Sequence, residues 1–181
     1  MREWFDLALK YLALIAAFVS VIGYFTKVHI ENGRLAAAKT EAYIAEYTSG
    51  RLLDDTQAVD FFWRHNIQPL FQQKKVWTPA DLSRVFQVII LTNERYANYE
   101  RSLNHILLHF DLVAFCSRQG LCDLDLVRAF YCDEYKALRL IYDFNRNHYT
   151  SQGVTIGSQG MGYFDDKCPK PSADAGRIGT F

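Results

Sequence analysis

An excess of either charge is the first thing this sequence lacks: 20 Lys and Arg balance 20 Asp and Glu over 181 residues, and the pI is near 6.9. Without a basic surface nothing draws in a phosphate backbone over long range, so nucleic acid is not an expected partner. The four cysteines, Cys116, Cys122, Cys132 and Cys168, include no CxxC pair. No nucleophile elbow or Walker loop occurs, and no alternating strand pattern competes with helical spacing. What is present is apolar: half of the residues are hydrophobic, enough for one sizeable core with appendages. The aromatic share, which includes Trp4, Trp63 and Trp77, suits helical cores and membrane interfaces equally.

The strongest local signal runs from Leu7 to Phe25, interrupted by one charge, Lys10. A helix of about 19 residues rises roughly 28 Å, close to the hydrocarbon thickness of a bilayer. Trp4, Phe5, Tyr24 and Phe25 bracket the run where amphipathic rings favour the headgroup level, and Lys10 is near enough to one end to snorkel outward. A buried core helix would carry a polar stripe. A cleaved signal peptide would be followed by small residues, whereas Tyr24-Phe25-Thr26-Lys27 follows here. The expected element is therefore a transmembrane helix. Lys27, Arg34 and Lys39 outnumber Arg2 and Lys10, which places the C-terminal part in the cytoplasm of a single-pass inner-membrane protein. In that compartment all four cysteines stay thiols, while outside it three disulfide connectivities are open.

Beyond the span the pattern stays helical through Leu35, Ala36, Ala37, Ala38, Ala42, Tyr43, Ile44 and Tyr47 to a stop at Thr48-Ser49-Gly50, with Gly33 the place for a bend. Asp54, Asp55 and Thr56 offer caps for a short helix that ends before Pro69. Thr78-Pro79-Ala80-Asp81 is a start signal. Leu82, Val85, Phe86, Ile89 and Ile90, then Tyr96, Tyr99, Leu103, Ile106, Leu107, Phe110, Val113 and Ala114, recur at helical steps. Gly120 closes this element, and Asp123 caps a final helix to about Tyr149. After Thr150 the composition turns to Gly, Ser, Asp and Pro and predicts a flexible tail. The fold class is all-α, a transmembrane helix followed by a small helical bundle: anchor 1–27, stalk 28–50, cytosolic domain 51–149 and tail 150–181. The predicted core is Phe62, Trp63, Leu82, Phe86, Ile89, Leu103, Ile106, Phe110, Val113, Val127, Tyr131, Leu138 and Ile141.

The stretch from Leu103-Asn104 through Phe110-Asp111 and its apolar run to Arg118-Gln119-Gly120 and Asp123 resembles an uncharacterised family of bacterial proteins with one N-terminal span and a small helical domain. Phe110-Asp111 stands for that family's aromatic-acid pair, with aspartate in place of glutamate, and Gly120 and Asp123 stand for its turn. The resemblance covers roughly 45 residues in motif and about the first 150 in layout. It implies the anchor and the helical fold and brings no activity, ligand or catalytic residue.

The sharpest chemical constellation is His105, His109, Leu112 and Cys116 on one helical face. Two histidines at i and i+4 can share a metal, but three or four ligands must converge, and neither a HExxH base nor a Glu-x-x-His pair accompanies them. Packed or hydrogen-bonded histidines are the expectation, with His105, His109 and Cys116 as candidate metal ligands. Gly157-Ser158-Gln159-Gly160-Met161-Gly162 has the look of a phosphate-cradling loop, yet no predicted strand precedes it, and a linker is expected. Asp54-Asp55 and Asp165-Asp166 are expected as a helix cap and a solvated tail. No catalytic residue and no cofactor is expected. The functional expectation is a non-enzymatic interaction or regulatory module, tethered to the bilayer and binding a protein partner or itself. The alternative is a small metal- or thiol-dependent enzyme using His105, His109 and Cys116. A third reading, an effector that oligomerises through small residues of its span (Ala13, Ala16, Ala17, Ser20, Gly23), ranks last.

Overall fold

The computed structural model describes the backbone of residues 2–73, 84–85, 87–89, 94–151 and 157–168 and the side chains of 15–70, 84–85, 87–89, 94–146 and 157–168. Among the described residues the chain is all-helical and has no strand. The start signal at Thr78–Asp81, the core positions Leu82 and Phe86, and residues 169–181 lie outside this description.

Helix α1 spans Arg2–Thr48 and continues unbroken through Gly33, a rod about 70 Å long at 1.5 Å per residue. No helix is long and apolar enough to cross a membrane among the described residues. Of the predicted span at 7–25, only the side chains from Ile15 onward belong to them. The far end of α1 is part of the bundle and not a free stalk. Thr40 and Tyr47 are buried and Tyr43 and Ile44 half-buried, so the 40, 43, 44, 47 spacing turns one face inward.

Helix α1 stops before Ser49, whose backbone is extended, and α2 (Gly50–Phe62) begins at once. The helix expected to be capped at Asp54–Thr56 therefore starts earlier: Thr56 turns its hydroxyl to the carbonyl of Leu52, and Asp55 lies inside α2 on the buried stripe Leu52, Asp55, Val59, Phe62. Pro69 does not end the helical run as expected. Trp63–Ile67 form a π-helical turn, in which the Gln68 amide donates to the carbonyl of Trp63, and α3 (Gln68–Gln73) follows with Pro69 in its first turn.

Helices α4 (Tyr96–Arg118) and α5 (Leu124–Ser151) form the centre of the bundle. The expected cap is present: the amides of Asp125 and Leu126 donate to Asp123 Oδ1 at 2.9 and 3.1 Å. The Asp123 amide in turn donates to Thr40 Oγ1 at 2.8 Å, and Tyr47 donates to Glu134 Oε2 at 3.1 Å. These two contacts make α5 parallel to α1 and set α4 antiparallel to both. Phe62, Trp63, Ile89, Leu103, Ile106, Phe110, Val113, Val127, Tyr131 and Leu138 are buried as expected, and Ile141 is half-buried.

The largest departure concerns the expected tail, since Ser158–Lys167 form a packed helix, α6, with Met161 and Phe164 in the core. Its N-terminus is held from another helix. The two carboxylate oxygens of Asp111 accept from the amides of Gly157 (3.2 Å) and Gly160 (2.5 Å), the service a capping side chain ordinarily performs from within. Gly157 has φ +73, and a Cβ at Gly160 would lie 2.6 Å from the carbonyl carbon of Phe110, so α6 meets α4 backbone to backbone. Two of the glycines that suggested a linker, Gly157 and Gly160, are what this approach requires. Gly160→Ala is expected to cost roughly 1–3 kcal/mol through the forced displacement. Gly162→Ala, whose Cβ meets open space, is expected to be neutral or slightly stabilising. Urea denaturation of the two variants in detergent checks the contrast.

The four cysteines are not thiols. Cys116 bonds Cys122 across the α4–α5 corner, and Cys132 of α5 bonds Cys168 at the end of α6. The reason sequence spacing missed this is that the partners are brought together by the corner and by the packing of α6.

Candidate functional site

The C-terminus of α1, the start of α2 and the outer face of α4 surround an open cleft of about 420 Å³, with Glu46, Arg51, Asp55, His105, Leu108 and Leu112 among its lining. Its floor is organised by Asp55. That residue is the single acid in the apolar stripe of α2, and a carboxylate placed there must be paired or be protonated. Both of its oxygens are occupied: Ser102 donates its hydroxyl to Oδ1 at 2.6 Å, and His105 donates from Nδ1 to Oδ2 at 2.9 Å. Because an ionised carboxylate only accepts, this fixes the proton of His105 on Nδ1 and leaves Nε2 as its second polar atom. An aspartate that orients a histidine in this way is half of the hydrolytic triad arrangement. The other half is missing among the described residues. Ser102 turns its hydroxyl to the carboxylate, and Ser49, also in the cleft, donates to the carbonyl of Ala45.

His109, one turn further along α4, points into the core. Its Nε2 lies 2.9 Å from the Tyr131 hydroxyl and its Nδ1 3.9 Å from Glu46 Oε2, while the rings of Tyr43, Tyr47 and Tyr131 pack around it. The tautomer with its proton on Nδ1 and accepting from Tyr131 suits both neighbours. Burial pulls its pKa down to about 4. The well-exposed Glu46 carboxylate is too solvated to offset that desolvation. Burial, followed by the charge of Glu134, pushes the Tyr47 hydroxyl well up, and burial pushes Tyr131 up likewise, so both phenols stay protonated donors.

His109 is neutral in the folded chain, whereas the unfolded chain binds its proton near the ordinary histidine value of 6.5. The stability this difference supplies is fully present above about pH 6.5 and is lost as the pH falls toward about 4, a change of roughly 3 kcal/mol. Denaturation midpoints across that window are expected to fall less steeply for His109→Phe than for the natural chain.

The candidate metal ligands do not converge. His105 and His109 share a helix but face Asp55 and Tyr131 respectively, and the Cys116 sulfur is bonded to Cys122. Among the described residues no group of three or more His, Cys, Asp or Glu side chains is placed to hold a metal ion. The phosphate-loop reading of Gly157–Gly162 is answered by Asp111, since the anion at that helix start is the protein's own carboxylate. Asp165, assigned to a solvated tail, accepts from Tyr135 and Arg139.

Sequence reasoning found the two histidines and missed Asp55, Ser102, Glu46 and Tyr131. For Asp55 a signal existed, its place on an apolar stripe; for the others only the packing of α1 and α5 onto α4 brings them near. Fold and cleft thus define a disulfide-linked helical bundle with an Asp–His–Ser cluster at its rim, in which Asp55 and Ser102 are buried and His105 half-buried. In comparisons with known proteins the chain matches no family model, no curated protein and no solved structure.

Proposed function

We propose that this chain is a membrane-tethered helical module that works by binding and not by catalysis, with its head on the oxidising side of a bacterial inner membrane. The observation that carries the tether is the near end of α1. Ile15, Phe18, Val19, Val21, Ile22, Tyr24 and Phe25 are between 53 and 71% exposed. A surface of that kind, continuous in sequence with the apolar run from Leu7, is covered by lipid far more cheaply than by water. The bracketing aromatic residues and the resemblance to single-span bacterial proteins support the same reading.

The two disulfides favour a head outside the cytoplasm, because thiols are kept reduced inside. The opposing bias, Lys27, Arg34 and Lys39 against Arg2 and Lys10, rests on a single basic residue. A binding role is supported by the cleft, whose oriented His105 has no activated hydroxyl or thiol beside it among the described residues. The thiol-dependent alternative would need Cys116 reduced, and the metal-dependent one would need a third ligand.

Carbonate washing of membranes from expressing cells, followed by protease treatment of intact spheroplasts, tests the proposal. The chain should stay in the pellet and its head should be cut from outside. Release by carbonate would refute the tether, and a head protected in spheroplasts but cut after lysis would return it to the cytoplasmic side.

A further inference from the structure

Between Thr26 and Lys39 most side chains of α1 are exposed, yet the large apolar residues there are not scattered. Val28 and Leu35 stand one heptad apart and continue, at steps of three and four, a series that starts at Phe18, Val21 and Phe25. The full series is a heptad seam. Phe18, Phe25, Asn32 and Lys39 fall at its first inward position, and Val21, Val28, Leu35 and Ala42 at its second. Inside the apolar run any register would meet apolar residues, so the discriminating positions are those after Phe25, where Ile30 is the one large apolar side chain off the seam. Leu35 is 68% exposed, and Asn32, Lys39 and Ala42 are exposed beside it.

We propose that α1 pairs with α1 of a second copy of this chain, parallel and in register, along a seam from Phe18 to Leu35 in which the two Asn32 side chains meet. This inference rests on the tethered reading above. Two copies that enter one bilayer from the same side run in the same direction, which is the arrangement an in-register heptad seam requires. Asn32 is the residue that points to a second copy. An amide carries both a donor and an acceptor, so two of them across a two-fold axis satisfy each other, whereas a slip of one heptad would set Asn32 against Phe25 or Lys39. Lys39, which would face its own like charge, ends the seam. The head does not stand in the way. Thr40, Tyr43, Ile44 and Tyr47 face the bundle, and the seam lies about 120° round the helix from them. The small residues Ala16, Ser20 and Gly23 fall on the opposite side of the helix from this seam. Beyond the apolar run the seam is shorter than the roughly 3–4 heptads of a free coiled coil, so pairing depends on the bilayer holding the two helices side by side.

Single cysteines at V28C, L35C or R34C in the full chain test this in carbonate-washed membranes oxidised with copper phenanthroline. All four native cysteines are already in disulfides, so the new thiol is the one available for a bond between copies. Arg34 is the control, next to Leu35 in sequence but on the outer side of the seam. Disulfide-linked dimers at 28 and 35, several-fold above the yield at 34, are the expected result. Equal yields at 34 and 35, or no dimer at 28 and 35 in membranes that retain the chain, would overturn the pairing and leave the tether standing. A bond from position 35 to a different protein, without dimer, would overturn the second copy as the occupant of the seam. Recovery of the chain outside the washed membranes would overturn the tether and the pairing together.

Discussion

Replacing Phe110 with alanine is expected to lower the stability of the head by roughly 3–5 kcal/mol. Its ring is fully buried where four helices meet, with centroids 5.3 Å from Phe164 of α6, 5.6 Å from Tyr131 of α5 and 6.0 Å from Tyr47 of α1. All three contacts are edge-on, an arrangement that adds to simple burial. The site has little freedom to collapse, because Gly160 already sits against the Phe110 backbone and Asp111 holds α6 from the next position. Phe110→Leu, which keeps most of the volume, should cost markedly less. Urea denaturation of the chain in detergent reads both, and an unchanged midpoint for the alanine variant would contradict the packing described.

The second large effect is covalent. In the chain-entropy view a cross-link stabilises in proportion to the logarithm of the loop it closes, so the Cys132–Cys168 bond, with a separation of 36 residues, should contribute about 4 kcal/mol. The Cys116–Cys122 bond, with a separation of 6, should contribute about 2 kcal/mol. Replacing Cys132 and Cys168 together with serine should also act locally. Helix α6 is then held to the bundle only by non-covalent contacts, the burial of Met161 and Phe164, the Asp111 cap and the polar bonds of Gln159 and Asp165, and limited proteolysis should cut within 157–168 before the rest of the head opens. Replacing Cys116 and Cys122 should leave α6 protected. Equal losses in the two double variants, or early cleavage in the second, would contradict the assignment of one bond to α6 and the other to the corner.

Much of the bundle was legible because apolar spacing reports which face of a helix is inward. The residues from Leu103 to Val113 on α4 and from Val127 to Leu138 on α5 behave as that spacing requires. The cap at Asp123 and the stop at Thr48–Gly50 were legible for a similar reason, since local chemistry is enough to end or start a helix. Helix α6 was not, because its glycines are poor helix formers and the energy that orders it comes from a backbone approach to α4. A fainter sign was there, in the apolar or small residues Gly160, Met161, Phe164 and Cys168 at helical steps. The histidine pair shows the same limit. Spacing put His105 and His109 on one face, but a face has width, and the one-turn offset is enough to pair one with Asp55 and bury the other against Tyr131.

Corner, cleft and α6 together describe a head whose shape is closed by two covalent bonds and from which the near part of α1 projects as a single rod. The consequence for partners is directional: the cleft at Asp55 and His105 opens near the far end of α1, beyond the Thr40 level along that helix, and on the tethered reading proposed above it is presented away from the bilayer.

The account is tested most directly by trapping thiols in carbonate-washed membranes prepared under acid quench. Free cysteines are tagged with a maleimide polyethylene glycol before and after reduction, and mobility is read by gel. The chain should be in the membrane pellet, should take no tag before reduction and should take four after it. Four tags without reduction, or recovery of the chain outside the pellet, would contradict a tethered, disulfide-linked head.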